Sequence, residues 1–201
     1  MDIGKVPNDI LKSIVLDRIK NKRKEVIVNP GIGEDCAALD LGDNFCIVSS
    51  DPITGTSYDI GRLAVHVSCN DIASSGAEPV GIVVTLLLPK GTSEKQLEEI
   101  MGQICHAAGE LNIDILGGHT EITDAVNRYI ISGTCIGKVP QHGLVVSSGA
   151  RPGDFLVMTK SAGIEGTAII ASEKEEELSR LFGKEFVERA KGVIKNISVV
   201  R

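Results

Sequence analysis

The stretch Asn29–Asp51, NPGIGEDCAALDLGDNFCIVSSD, joins a glycine loop to a predicted β-hairpin that carries an aspartate at each open end. A three-residue turn at 42–44 would fix the pairing of the two strands, and counting back from that turn places Asp35 opposite Asp51. Directly opposed residues have Cβ atoms roughly 5 Å apart, so two carboxylates there need a cation, a shared proton or a positive neighbour. Two interpretations stay open: a site for a hard divalent cation, or two strand-end aspartates that face water.

Downstream of the hairpin, apolar residues at helical spacing predict a helix over 59–75 that Gly76 ends. This helix contains the polar pair Asn70 and Asp71 within an otherwise apolar, small-residue sequence. If the pair is buried it needs partners, and Asp71 then becomes a third carboxylate for the same cation. The alternative is that Asp71 is exposed.

The next elements set the fold class. The run Val80–Leu88 is apolar on successive residues, which predicts a strand buried on both faces. Ser93 and Gln96 form a capping box that begins a second amphipathic helix. Short strands are predicted at 112–116 and 128–139. The resulting order, βαβαββ, favours an α+β fold in which a mixed sheet carries its helices on one face.

Composition excludes several classes of partner. The net charge of -6 opposes a nucleic-acid or anionic-membrane surface, and 3% aromatic residues supply little stacking for bases. The five cysteines are odd in number and widely spaced, which is typical of buried thiols in a reducing compartment. The sequence shows no signal peptide and no apolar run of membrane-spanning length, so we expect a cytoplasmic protein.

A break at Arg151-Pro152-Gly153-Asp154 predicts a domain boundary near residue 150. Residues 1–150 form the first predicted domain. Residues 151–201 begin a second one with a predicted strand, FLVMTK, and a helix from Thr167. About fifty residues are fewer than an independent core usually takes, so we expect the second domain to be truncated.

The usual nucleotide signatures are absent, because Gly31-x-Gly33 lacks the third glycine of a dinucleotide fingerprint and no P-loop spacing occurs. Three glycine-containing loops, 30–33, 54–56 and 117–120, instead offer backbone amides and hydroxyls to an anion. Together with the three aspartates they suit a magnesium-bridged polyphosphate, in which the metal neutralises phosphate oxygens.

The ordered motifs GIGEDCAALD, SSDPITG, AVHVSCNDIASSGAEPVGIVVTLLLP and GGHTEIT, followed by an ISGTCIGKV strand, resemble one known superfamily. It is the aminoimidazole ribonucleotide (AIR) synthetase superfamily, and the resemblance covers the ATP-binding half over about residues 30–160. The later stretch TKSAGIEGTAIIA is most similar to the HypE branch, which acts in hydrogenase maturation. The resemblance implies an AIR synthetase-like N-terminal domain whose strands form a barrel across a homodimer.

The resemblance also implies ligands and their residues. ATP and Mg²⁺ are the implied cofactors, and Asp35, Asp51 and Asp71 match the metal-binding acids of the family. The positions implied to bind ATP are Gly31, Gly33, Thr54, Gly117, Gly118, His119 and Thr120. His119 departs from the acid that the purine enzyme and thiamine-monophosphate kinase carry in this turn, whereas selenophosphate synthetase has a histidine. The resemblance assigns no catalytic residue.

The implied activity is phosphorylation of an amide-like or other weakly nucleophilic oxygen by ATP, on a small molecule or a peptide. HypE dehydrates a carbamoylated C-terminal cysteine to a thiocyanate, and a HypE-like protein would have a protein partner. No cysteine follows Cys135 in this sequence. Alternatives are a phosphotransferase like thiamine-monophosphate kinase or selenophosphate synthetase, and a catalytically silent nucleotide-binding scaffold or sensor.

Overall fold

The fold is a six-stranded mixed sheet with helices packed on it, as the order of elements predicts. A computed structural model of the 201-residue chain describes residues 1–20 and 23–200. The strands are β1 (Val26–Val28), β2 (Ala37–Asp40), β3 (Asn44–Ile53), β4 (Glu78–Pro89), β5 (Asp114–Thr123) and β6 (Ile130–Pro140). Their order across the sheet is β1-β2-β3-β6-β4-β5, and only the β4–β5 pairing is parallel.

Within residues 1–20 and 23–200, six α-helices accompany this sheet. Helix α1 (Asn8–Ile10) continues into two further short turns that end at Arg18. Helices α2 (Ile60–Ser74) and α3 (Glu94–Glu110) contact the sheet and each other, and the C-terminal part contains α4 (Ile164–Glu173), α5 (Glu175–Phe182) and α6 (Lys184–Gly192). No helix of the described residues is long and apolar enough to cross a membrane.

Local signals in the sequence set the limits of α2 and α3. Ser93 and Gln96 form the predicted capping box at the start of α3. Gly76, in the left-handed region at φ +79°, ends α2 as predicted, because the N–H of Gly76 and that of Ala77 return to the last turn of the helix. The start of α3 and the end of α2 therefore lie at the predicted cap residues.

Helix α2 packs unusually close to the central strand β6. A Cβ at Gly133 would lie 2.5 Å from the hydroxyl of Ser68, and a Cβ at Gly137 would collide with the side chain of Ile72. Between these glycines, the sulfur of Cys135 lies 3.6 Å from that of Cys69 on α2. The absence of side chains at Gly133 and Gly137 thus allows α2, and the residues it carries, to lie close against the sheet.

The hairpin register differs from the prediction by one residue. Asp40 pairs with Phe45 and Ala37 with Val48, so the loop contains four residues rather than three. The carboxylate of Asp40 accepts a hydrogen bond from the N–H of Gly42, which draws the chain into the turn one residue early. Strand β2 begins at Ala37, and the predicted pairing of Asp35 with Asp51 is therefore wrong.

Two other predicted elements need correction. The glycines of 117–120 do not form a loop: they lie inside β5, because β4 offers this segment a parallel partner. The predicted strand FLVMTK is irregular, and Phe155 and Leu156 are 94% and 103% exposed. No neighbouring strand pairs with it among the residues that the structure describes. Strand β4 is buried on one face and only partly covered on the other, with Val80 42% exposed.

The cysteines are free thiols, as predicted. Cys69 and Cys135 are buried, and Cys36 and Cys46 are partly covered. Cys105 is exposed on α3, against the expectation of burial, because it lies on the polar face of that helix.

Candidate functional site

Two of the three predicted acids, Asp51 and Asp71, meet at the junction of β3 and α2. Asp51 is exposed near the end of β3, and Asp71 is half-buried in the last turns of α2. The Ser49 hydroxyl, two residues before Asp51 on β3, donates a 2.9 Å hydrogen bond to Asp71 Oδ2. The close approach of α2 to the sheet is what brings these three side chains together.

The environment of Asp71 disfavours its charged form. Burial, and then the hydrogen-bonded carboxyl of Asp51, raise the pKa of Asp71 to about 7, while the hydroxyl of Ser49 acts in the opposite direction. The neighbouring carboxyl of Asp51 thus favours the protonated form of Asp71. We name Asp51 and Asp71 the acid pair.

Asp35 stands apart from the acid pair. It influences Asp71 only through its charge, without a hydrogen bond. It lines a small cavity of about 230 Å³ with Ser74, Ser75 and residues 145–147. Among the residues that the structure describes, no three His, Cys, Asp or Glu side chains converge as a metal-binding cluster. In this structure Asp51 and Asp71 form a pair and Asp35 acts on Asp71 through its charge, so the metal site of three acids stays a prediction.

The glycine loop before β2 lies beside this cavity. Gly33 has φ +82°, and Ser147 fastens the loop by donating its hydroxyl to the carbonyl of Gly33 and its N–H to Glu34. Cys36, just after the loop, donates its thiol to the backbone carbonyl of Asp71 at 3.2 Å. Burial and the charge of Asp71 raise the pKa of the Cys36 thiol to about 11, so this donor keeps its proton at neutral pH.

The predicted phosphate-binding residues of 117–120 lie on edge strand β5, three strands away from β3. Asp51 pairs with Gly133, Gly133 with Val84, and Val84 with Gly118, so Asp51 and Gly118 share one row across the sheet. Three strand spacings make this distance about 14 Å. Thr54 directly follows β3, whose last residue, Ile53, shares a second row with Thr120. The predicted residues thus occupy one end of the sheet without meeting at one point.

Gly117 and Gly118 have φ of +135° and +153°, a conformation that L side chains rarely adopt. A Cβ at Gly118 would also collide with the backbone of Val84. The imidazole of His119 is 64% exposed and lies 3.4 Å from the carboxylate of Glu121. Strand β5 therefore presents bare backbone and a solvent-facing histidine at its exposed edge.

Of the contacts that the predictions missed, the one at Ser49 has a weak signal in the sequence and the one at His66 has none. Ser49 is a buried hydroxyl within an apolar strand, a pattern that could have identified it as a partner of Asp71. On the other side of α2, Glu110 accepts from Arg62 at 2.7 Å and lies 3.2 Å from His66 Nε2. His66 is only 2% exposed, and burial followed by the charge of Arg62 lowers its pKa. The His66 contact depends on the three-dimensional pairing of α2 with α3, which no sequence spacing reveals.

Comparison with known proteins places this arrangement in a family. A hydrogenase expression/formation protein, so named in Methanocaldococcus jannaschii, is 31% identical over 180 residues, which are 85% of this chain and 52% of that protein. The carbamoyl dehydratase HypE of Cupriavidus necator is 32% identical over 128 residues, 63% of this chain and 36% of that enzyme. The chain spans about half or less of the length of these relatives.

A solved structure of the hydrogenase maturation protein HypE in complex with ATP matches with a TM-score of 0.50 and 27% identity, covering 75% of this chain and 45% of that one. The family described as AIR synthase related protein, N-terminal domain, matches residues 33–139, more than half of the chain. These residues run from the glycine loop through β6 and include the acid pair. The chain therefore belongs to the AIR synthase related family.

Proposed function

We propose that the full-length protein is an ATP- and Mg²⁺-dependent enzyme of the HypE type, which phosphorylates an amide-like or other weakly nucleophilic oxygen. The observation that carries the proposal is half-buried Asp71, which meets Ser49 and Asp51 of β3 inside the region that matches the family. Two carboxylates held close together repel each other, and such an arrangement is typical of a site that binds a cation.

The donors of the acid pair fit Mg²⁺. This ion prefers oxygen ligands and is commonly held by one or two carboxylates while water and phosphate oxygens complete its coordination. Asp51 and Asp71 would hold the ion, and the charge of Asp35 would add to its attraction. When bound, Mg²⁺ neutralises the charge of phosphate oxygens.

The candidate residues in segments 31–33 and 117–120 would orient the nucleotide. The loop at Gly31–Gly33 offers unhindered backbone beside Asp35, and Ser147 keeps this loop in place. Gly117 and Gly118 on β5 expose backbone that a phosphate could approach, with the hydroxyl of Thr120 and the imidazole of His119 beside them. Because β5 is about 14 Å from β3, we propose that the two groups contact different parts of the ligand rather than one phosphate.

The test begins with isothermal titration of the full-length protein with the ATP analogue AMPPNP, with and without Mg²⁺. Binding that requires Mg²⁺ supports the proposal, and weakening of this Mg²⁺-dependent binding in Asp51→Asn and Asp71→Asn assigns it to the acid pair. Absence of binding by the wild type contradicts it. ADP release is then measured with carbamoyl, formamide and thio compounds as acceptors. Binding without ADP release would favour the alternative of a nucleotide-binding scaffold or sensor.

A further inference from the structure

Asn70 precedes Asp71 on α2, but its side chain contacts a different part of the chain. Its Nδ2 donates a hydrogen bond to the carbonyl oxygen of Ile197 at 2.9 Å, and its Oδ1 accepts one from the N–H of Val199 at 2.9 Å. One carboxamide thereby satisfies a carbonyl and an N–H two residues apart. This is the pairing that a neighbouring strand would provide to an extended segment.

The segment held by Asn70 belongs to the C-terminal helical part. It directly follows α6 and the short turn Val193–Asn196, and helices α4, α5 and α6 pack against one another. Ile194 and Ile197 are buried in the same apolar core as α2. The apolar contacts allow some sliding because they are not directional, whereas the two hydrogen bonds of Asn70 fix one register.

Asn70 and Asp71 are consecutive residues inside one helix, so their backbone positions are rigidly linked. Asp71 extends to Ser49 and Asp51 on the sheet, and Asn70 extends to the C-terminal segment. A shift of α2 that changes the acid pair must therefore be transmitted to residues 197–199. The reverse holds as well, because coupling between two sites is reciprocal.

We propose that Asn70 is a positioning residue that fixes residues 151–200 relative to the acid pair and couples the two. Asn70 acts through its hydrogen bonds to the segment and not by touching the ligand. The coupling rests on the proposed function, since the acid pair is where Mg²⁺ and nucleotide would bind. The attachment itself rests only on the two hydrogen bonds.

Hydrogen–deuterium exchange of the intact chain, read by mass spectrometry, tests the attachment without any ligand. In Asn70→Ala, amides of residues 193–200 should exchange about tenfold faster, because two hydrogen bonds of the local closed state are lost. Asn70→Asp should behave similarly, since a carboxylate cannot donate to the carbonyl of Ile197. The matched control is Asn196→Ala, an exposed asparagine in the same segment, which should leave this exchange unchanged.

Two results would overturn the attachment. The first is that exchange at 193–200 is the same in Asn70→Ala as in the wild type. The second is that exchange in β3 and β6 rises as much as exchange at 193–200, which would mean general destabilisation. The coupling is tested by adding Mg²⁺ and AMPPNP. The coupling is supported if the ligands slow exchange at 193–200 in the wild type but not in Asn70→Ala. Titration must show that Asn70→Ala still binds the nucleotide.

The failures of the two proposals are distinguishable. If the wild type binds the nucleotide and exchange at 193–200 does not respond, the coupling is wrong and the proposed function stands. If the wild type does not bind, the proposed function and the coupling both fail. The ligand-free comparison still decides the attachment in that case.

Discussion

The raised pKa of Asp71 has a measurable thermodynamic consequence. In the unfolded chain Asp71 ionises near its ordinary pKa, whereas in the folded chain the pKa is raised to about 7. The folded state therefore binds more protons between these values, and stability contributed by this residue is lost as the pH rises from about 4 to about 7. A ligand cation would remove this penalty at neutral pH.

Asp71→Asn should therefore stabilise the ligand-free protein at pH 7.5 to 8 (roughly, above the raised pKa), and the gain should disappear toward pH 4. The amide oxygen can still accept from Ser49, so the packing is kept. The variant should lose most of the rise in melting temperature that Mg²⁺ with AMPPNP gives the wild type. Thermal melts across the pH range measure both effects.

Asp35→Asn is the matched control, because Asp35 acts on Asp71 only through its charge. It should change the ligand-free melting temperature less than Asp71→Asn does. An Asp71→Asn protein that melts early yet keeps its full ligand-induced shift would contradict the metal-binding role of Asp71.

His66 predicts a pH dependence of the opposite sign. Burial and then Arg62 lower its pKa in the folded state, although Glu110 opposes them. Below about pH 6.5 the unfolded chain takes up a proton that folded His66 does not, so stability should fall as the pH decreases. His66→Gln keeps a donor toward Glu110 and should flatten this part of the melting curve between about pH 7 and 5. His142→Gln, an exposed position, should not; equal slopes for all three proteins would refute the assignment.

At the scale of elements, the contact of α2 with β6 should tolerate no added side chain. Gly133→Ala puts a Cβ at 2.5 Å from Ser68 Oγ and 2.9 Å from Ile82 Cδ1. We expect a loss of about 1–3 kcal/mol in the free energy of unfolding, as in other overpacked cores. Chemical denaturation with a two-state fit measures it.

The control for this substitution is Gly102→Ala on α3, which has open space around it and should gain about 0.5–1 kcal/mol from helix propensity. Adding Ser68→Ala to Gly133→Ala removes the nearest atom and should recover part of the loss, as a non-additive pair. A neutral Gly133→Ala would show that α2 can move away from β6 at no cost.

The elements that could be predicted from the sequence are those whose signals are local. The capping box at Ser93, the glycine at the end of α2 and the apolar run of β4 each act within a few residues. The segment 117–120 was misassigned as a loop because its strand conformation depends on β4, some thirty residues earlier in the chain. The prediction of the hairpin register was wrong by one residue because the side chain of Asp40, rather than strand pairing, sets the turn.

The candidate site, too, was predictable only where its signals are local in the sequence. The residues of the acid pair were identified from their motifs, but their partners depended on a register that was wrong. Asp71 approaches Asp51 because α2 packs closely on the glycines Gly133 and Gly137 of β6, which lie far downstream of α2 in the sequence. Sequence spacing contains no information on how closely a helix approaches a sheet.

At the scale of the whole molecule, the exposed edge of the sheet predicts self-association. Strand β5 exposes the apolar side chains of Leu116 and Ile122 at 50% and 58%. Apolar side chains on an unpaired edge strand favour pairing with a second chain. We expect the full-length protein to be a homodimer at micromolar concentration, measured by light scattering after size exclusion.

Ile122→Lys should weaken this dimer by at least about tenfold in Kd, because a charge would then lie in the apolar interface. The control, Leu41→Lys, changes a residue that is 69% exposed in the hairpin loop and should leave the dimer intact. A strict monomer for the wild type, or equal dissociation by both variants, would remove β5 from the interface.

The strand order also dictates when the molecule can fold. Strand β6 is the last of the six described strands in sequence order, yet it lies in the centre of the sheet and joins β3 to β4, which do not pair with each other. Until residues 130–140 are made, the strands before them can form only two separate ladders, and α2 lacks the glycine surface on which it rests. In a chain emerging from the ribosome, the apolar strands would therefore stay uncovered until β6 inserts between β3 and β4. We expect folding to be slow for this reason, and the chain to be most prone to aggregation before β6 is in place.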